Sequence, residues 1–430
     1  MVWTSYKEKV KLLSERIVNA QKPIRILDAI KWDVEAEAQF RKSKFKILPK
    51  VDAEYYAQFD LGYDPEKKIE ELTDLRSDVV TQLGKGDSIG QLLVTIVDEY
   101  IEVVRMILAR GTLDFWKISR NLYGSPKDTL FGDVNKISDL GVLLYGIFGK
   151  IDHLAASDSM RKDLSAAEVV GLLNERFEAY FLDDAVEARL SDGIVADAAA
   201  GSEVVKIREG SMFSRRDVDI LEVHEGWVHV GTTQNGLRQH VAKWLAKGPP
   251  RCASTQEGLA VIMEIFTFRT YPGRARRINN RILAIDKAED GASLLDIFEF
   301  YRTEGYDEEE CFYQAKRVFR GGLVEGGGPF TKDISYCKGF IENYNFMRAA
   351  IRSGKPELIP FLFAGKMSLE DVPLLYQKYQ EGVIDAPHHL PPLFRDLNGI
   401  AVWMSFSSFL NMVDLKKVQE HYDRLFSQHL

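Results

Sequence analysis

The segment LEVHEGWVHVGTT, residues 221–233, decides how the rest of the chain is read. It holds His224, Glu225 and His229 in a His-Glu-x-x-x-His pattern, with three residues between the glutamate and the second histidine. On an ideal α-helix, residues four apart are rotated by only about 40° and residues five apart by about 140°. Two imidazoles five apart therefore share one ion only if the helix is locally rewound, as in a π-bulge that takes in one additional residue. Such bulges are rare and concentrate at functional sites. Gly226 lies inside that turn and is expected to ease the distortion. An ordinary amphipathic helix carrying two unrelated histidines explains the same letters, and the pattern alone leaves both readings open.

The neighbouring sequence frames this helix. Ser214 with Asp217 three residues on forms a capping box, so a helix is expected to start there. Upstream, SAAEVVGLLNERFEAYF (165–181) reads as a helix. AVEARLSDGIVADAAAGSEVVKIREG (185–210) alternates in polarity and is broken at Asp192-Gly193 and Gly201-Ser202, which predicts two or three short antiparallel strands. Strands followed by an active-site helix is the order found in thermolysin-type zinc peptidases, by analogy only.

A zinc hydrolase takes three protein ligands and one water, and a nearby carboxylate removes the water's proton. Glu225, next to His224, is the natural general base. Glu257 in STQEGLA is the best third ligand, at the start of the following helix. It has a rival role: Ser254-x-x-Glu257 is itself a capping box. His388 and His389 sit in a proline loop and are expected to be solvated. His153, His240, His421 and His429 read as surface or satisfied core residues.

Elsewhere the chain is mostly helical. KIEELTDLRSDVVTQL (68–83) and SIGQLLVTIVDEYIEVVRMILARG (88–111) place apolar residues three and four apart, with Ser88 as the expected N-cap. Residues 292–319, SLEDVPLLYQKYQEG (368–382) and VDLKKVQEHYDRLFSQ (413–428) continue the pattern. The glycine-rich RGGLVEGGGPF (320–330) lacks the Gly-Lys-Ser/Thr ending of a P-loop and contains Glu325, so it is expected to be a cleft loop and not a phosphate cradle. The expected fold is α+β and predominantly helical: a zincin-like core with a small antiparallel sheet at 161–355, an N-terminal helical region at 1–160 and C-terminal helices at 356–430.

The 430 residues carry a net charge of -8, which argues against a general affinity for nucleic acid or anionic membrane. The basic stretch RTYPGRARRINNR (269–281) is expected to be a solvated helix face or loop. Three widely spaced cysteines, Cys252, Cys311 and Cys337, form neither a disulfide framework nor a thiolate zinc site and fit a reducing compartment. With no apolar leader and no apolar run of about 18 residues, a cytoplasmic protein without a membrane span is expected.

Several stretches together resemble one family: PIRILDAIKW (23–32), NLYG (121–124), LEVHEGWVHVGTT, TQEGLA (255–260) and GGPFTKDISY (327–336). They look like the QEGLA-motif proteins, labelled as modulators of flavohemoglobin expression, which are similar to microtubule-associated tyrosine carboxypeptidases. The resemblance implies a zinc metallopeptidase. By position it implies His224, His229 and Glu257 as ligands of one zinc ion and Glu225 as the base, the same assignment the chemistry suggests. It implies hydrolysis near a C-terminus, with a peptide or protein C-terminus as substrate. Tubulin itself is not carried over, because no acidic-tail-binding extension is evident. Tyr336 is the expected oxyanion donor, and Arg320, Lys332, Arg208 and Lys206 are the candidate cations for the substrate carboxylate. Lys206 and Arg208 alternate to one face of a strand expected to add an extended peptide at its edge. The rival functions are a zinc amidase acting on a non-peptide substrate and a regulatory binding protein with structural zinc.

Overall fold

The computed structural model describes residues 2–151, 160–194, 196–410 and 412–429, the side chains of 2–4, 428 and 429 aside. His153 lies outside the described residues. Helices dominate, and five short strands fall between residues 164 and 213: β1 (Leu164–Ser165), β2 (Glu187–Ser191), β3 (Ala198–Ala200), β4 (Val204–Arg208) and β5 (Met212–Phe213). The architecture is α+β and predominantly helical, as expected.

The small sheet differs from expectation in one pairing. Its order is β2-β4-β3. β3 and β4 form the antiparallel hairpin that Gly201-Ser202 signalled, but β2 pairs with β4 in parallel, from Glu187↔Val204 to Ser191↔Arg208. The break at Asp192-Gly193 is not a tight reversal between neighbouring strands, because β2 and β3 pair on opposite sides of β4. β4 is therefore the central strand. The expected edge addition at Lys206 and Arg208 has no free edge there, because both sides of β4 are already hydrogen-bonded. Val205 and Ile207 on its other face join Val169, Leu173, Phe177 and Phe181 of the helix Ala166–Phe181 in one apolar cluster.

The helices Pro65–Leu83 and Ser88–Leu108 form where the three-four spacing placed them, and a further helix, Val2–Gln21, precedes them. Asp87, not Ser88, caps the helix Ser88–Leu108, accepting from the Gly90 N–H. A carboxylate there also favours the positive helix end. The largest apolar cluster runs through all three expected regions, joining residues such as Leu93 and Val104, Val223 and Leu259, and Met347 and Phe363. Among the described residues, no helix is long and apolar enough to cross a membrane.

One helix crossing positions the site. The helix Cys252–Phe266 lies backbone to backbone on the helix Ser335–Arg352. A Cβ at Gly258 would fall 2.2 Å from the Gly339 carbonyl carbon, and one at Gly339 would fall 1.9 Å from the Ser254 oxygen. Only glycine permits that approach, and it brings Glu257 against the helix that carries Tyr336.

Candidate metal centre

The helix Arg215–Leu221 starts on the Ser214–Asp217 capping box, both halves of which are made. It then changes winding. Glu222–Val230 is a π-helix, followed by α-helix from Gly231 to Arg238. The Gly231 N–H reaches back to the Gly226 carbonyl, five residues earlier. This is the rewinding that the five-residue histidine spacing requires. The role of Gly226 differs from the expected one. It has no positive φ, and a Cβ on it would lie 2.5 Å from Cε1 of Phe177. Glycine is needed there to admit the ring of the helix that backs the sheet.

The π-turn brings the two imidazoles together, with ring centroids 5.0 Å apart. Glu257 completes the group: its Oε2 lies 3.7 Å from His224 Nε2 and 3.5 Å from His229 Nε2. Ligands at about 2.0–2.2 Å around a tetrahedral zinc are separated by about 3.5 Å. Ligand atoms of the three residues all lie within 4.8 Å of one another, and among the described residues no other group of His, Cys, Asp and Glu could hold a metal ion in this way. Glu257 Oε2 is buried without a hydrogen-bond partner, although a buried carboxylate oxygen ordinarily finds one. A cation between it and the imidazoles would satisfy it. Glu257 stands mid-helix, so the capping alternative does not apply.

Supporting groups hold each ligand. His224 Nδ1–H donates to Glu264 Oε1 at 2.7 Å, which leaves Nε2 for an ion, and Arg274 Nη2 donates to the same oxygen at 2.9 Å. A carboxylate behind a ligand histidine fixes its tautomer and raises its basicity. Burial pushes the Glu264 carboxyl up, but Arg274 and then His224 outweigh it and hold it down at about 2. Burial would lower His224, yet the carboxylates of Glu257, Glu264 and Glu225 around it push it up to about 10. Glu257 is held well below the carboxylate range despite burial, first by Lys332, whose Nζ donates to its other oxygen at 3.0 Å. The pocket thus favours positive charge among His224, His229 and Glu257, and an ion held there would displace a proton. Lys366 donates to the His229 carbonyl and to Gln256 Oε1, both at 3.1 Å. Glu225 accepts the Ala200 N–H of β3 at 3.1 Å through Oε2, and its Oε1 lies 3.9 Å from His224 Nε2.

The other expected site residues divide. Tyr336 is stacked on His224, with centroids 6.2 Å apart. Arg320 is buried nearby. Lys332 is engaged with Glu257 and is not a free cation. Arg208 is tied to Asp197 and Ser211 and lies over Tyr313, lining a cleft of about 910 Å³ to which none of the three ligands contributes. Lys206 is exposed on the outer face of the sheet. The basic stretch is not solvated: it forms the helix Pro272–Glu289, in which Arg274, Arg276 and Arg277 pair with Glu264, Glu304 and Glu310, and Arg281 is buried. Positions 274, 277 and 281 share a helical face, which was the overlooked signal. Glu264 was also missed, although it lies two helical turns after Glu257. His389 is buried and paired with Asp184, whereas the loop had suggested solvation.

The fold and site together define a mostly helical protein with a buried two-histidine, one-glutamate group able to hold a metal ion. A sequence profile described as microtubule-associated tyrosine carboxypeptidase matches residues 38–412. The match covers most of the chain, and the protein belongs to that family. Comparison with curated proteins returns no match.

Proposed function

We propose that the protein is a zinc-dependent carboxypeptidase that hydrolyses a C-terminal peptide bond of a peptide or protein substrate. Membership of a carboxypeptidase family supports the reaction class. The observation that carries the metal assignment is the unpartnered, buried Glu257 Oε2 facing both histidine Nε2 atoms. His224, His229 and Glu257 would hold one zinc ion. Bound there, the ion supplies the Lewis acidity that lets a water ionise near neutral pH.

The chain's own groups supply the rest. Glu225 is anchored through Oε2 by the Ala200 N–H, and its Oε1 is the acceptor for the water's proton. It then returns that proton to the leaving amine. Tyr336, whose ring stacks on His224, donates its hydroxyl proton in a hydrogen bond to the developing oxyanion. Lys332 orients Glu257, and Glu264 with Arg274 orients His224. The tyrosine and the microtubule of the family's description are not carried over.

Purified protein is expected to hold about one zinc per chain. Glu225→Gln should keep the zinc while lowering kcat about 10²–10⁴-fold on a free-carboxylate peptide. A variant with zinc and full activity removes Glu225 as the base. Digestion of a peptide library with and without chelator, read by mass spectrometry, separates removal of a C-terminal residue from cleavage of blocked amides.

A further inference from the structure

Four cations gather around Tyr336 and Asp333, and two of them, among the described residues, make no close ion pair with a carboxylate. Asp333 faces Arg317, Arg281, Arg320 and Lys332. Arg317 Nε takes Asp333 Oδ2 at 2.7 Å, and Lys332 takes Glu257 at 3.0 Å. Arg281 and Arg320 remain. Each is only 7% exposed. Nε of both, and Nη1 of Arg281, are buried with no hydrogen-bond partner. Burial first, and then the neighbouring Arg317, push the Arg320 guanidinium down to about 10.

An unpaired buried charge is among the most destabilising features a fold can carry. It persists where a ligand brings the opposite charge. We propose that Arg281 and Arg320 are the anion-binding wall of this site and grip the terminal carboxylate of the substrate, an assignment that rests on the carboxypeptidase reading above.

The geometry suits that ligand. Arg281 Cζ lies 4.4 Å from the Tyr336 ring centroid and Arg320 Cζ lies 5.7 Å from that of Phe330. Stacking on a ring steadies the guanidinium plane and leaves its edge donors for a planar acceptor. A carboxylate accepts such a fork through both oxygens. Tyr336 also stacks on His224, so one ring touches a candidate ion ligand and the guanidinium. An anion held by Arg281 is thereby linked through the Tyr336 ring to His224 of the candidate metal group. This assignment replaces Lys332 and Arg208 as carboxylate receptors, since both are already paired, and it adds Arg281. The competing explanation is structural: Asp333 Oδ1 is also unpartnered, and a water could bridge it to the guanidinium groups.

Two readouts separate these. The first is thermal stability with N-acetylphenylalanine as the free acid, against its amide. The acid should raise Tm of the parent protein and the amide should not. Arg281→Gln and Arg320→Gln should each abolish that shift and retain zinc. Without ligand, Arg281→Gln should melt no lower than the parent, because an unpaired charge has been removed. The second readout is kinetic: KM for a free-carboxylate peptide should rise about 100-fold in Arg281→Gln with a smaller change in kcat. If Arg281→Gln does not fold, Arg281→Lys keeps the charge, loses the fork and should still lose most of the acid-over-amide preference. A lower Tm with the acid-over-amide preference intact would overturn the proposal in favour of the water-bridged role. A parent that turns over no peptide would overturn the peptidase reading, and the acid-against-amide melting shift would still decide the anion site.

Discussion

Glu264 shows how much a single residue behind the ligands contributes. It is fully buried, and its Oε1 holds His224 Nδ1 and Arg274 at once. Glu264→Gln keeps an acceptor for Nδ1–H but removes the charge that Arg274 and the imidazole share. Metal affinity is expected to fall about 10–100-fold, measured by competition with a chromophoric chelator; an unchanged affinity would show that the carboxylate serves only the fold. At this scale the sequence was legible where chemistry has a fixed spacing. The grouping of His224, His229 and Glu257 was readable from their spacing and residue types. Glu264 and Arg281 were not, because a charge two turns along a helix and a run of arginines look like ordinary surface until a partner helix is placed against them.

At the scale of the element, the π-turn is the informative feature. Five-residue spacing of two imidazoles is a contradiction on an α-helix and a specification on a π-helix, which is why Glu222–Val230 could be anticipated. The reason for Gly226 could not, since it depends on Phe177 arriving from another helix. Gly226→Ala is expected to destabilise the protein by about 1–3 kcal/mol through overpacking. Denaturant unfolding checks this, and Phe177→Leu in the same chain should recover part of the loss. If the alanine variant is as stable as the parent, the close approach to Phe177 is not what keeps glycine there. The sheet was legible in its hairpin but not in its parallel pairing, because alternation of polarity gives a strand's faces and not its neighbours.

The whole molecule is tied together by its largest core, which draws on residues from both ends of the chain and from the middle that carries the candidate metal group. Boundaries drawn near 160 and 355 reflected pattern changes along the sequence, whereas packing across them depends on contacts that no local window contains. Glu99 gives this packing a pH signature. It accepts the Arg251 N–H at 3.0 Å, just ahead of the helix that carries Glu257. Burial raises its carboxyl from 4.5 to about 7, against the opposing pull of the Arg251 N–H and charge. The folded state thus binds a proton that the unfolded chain has released. Its stabilising contribution is full below about pH 4.5 and is lost as pH rises through about 7. Tm measured across that window should decline more steeply in the parent than in Glu99→Gln, and identical slopes would remove Glu99 as a source.

The unusual winding has a further consequence. Were Glu222–Val230 to relax to ordinary α-helical pitch, His224 and His229 would swing apart around the axis and could no longer face one ion. Were an ion held there, its coordination and the backbone pitch would be two faces of a single equilibrium, and whatever loosened the turn would also loosen the grip on that ion. Affinity for the ion then becomes a gauge of how tightly the helix behind the sheet, through Phe177, holds that coil in shape.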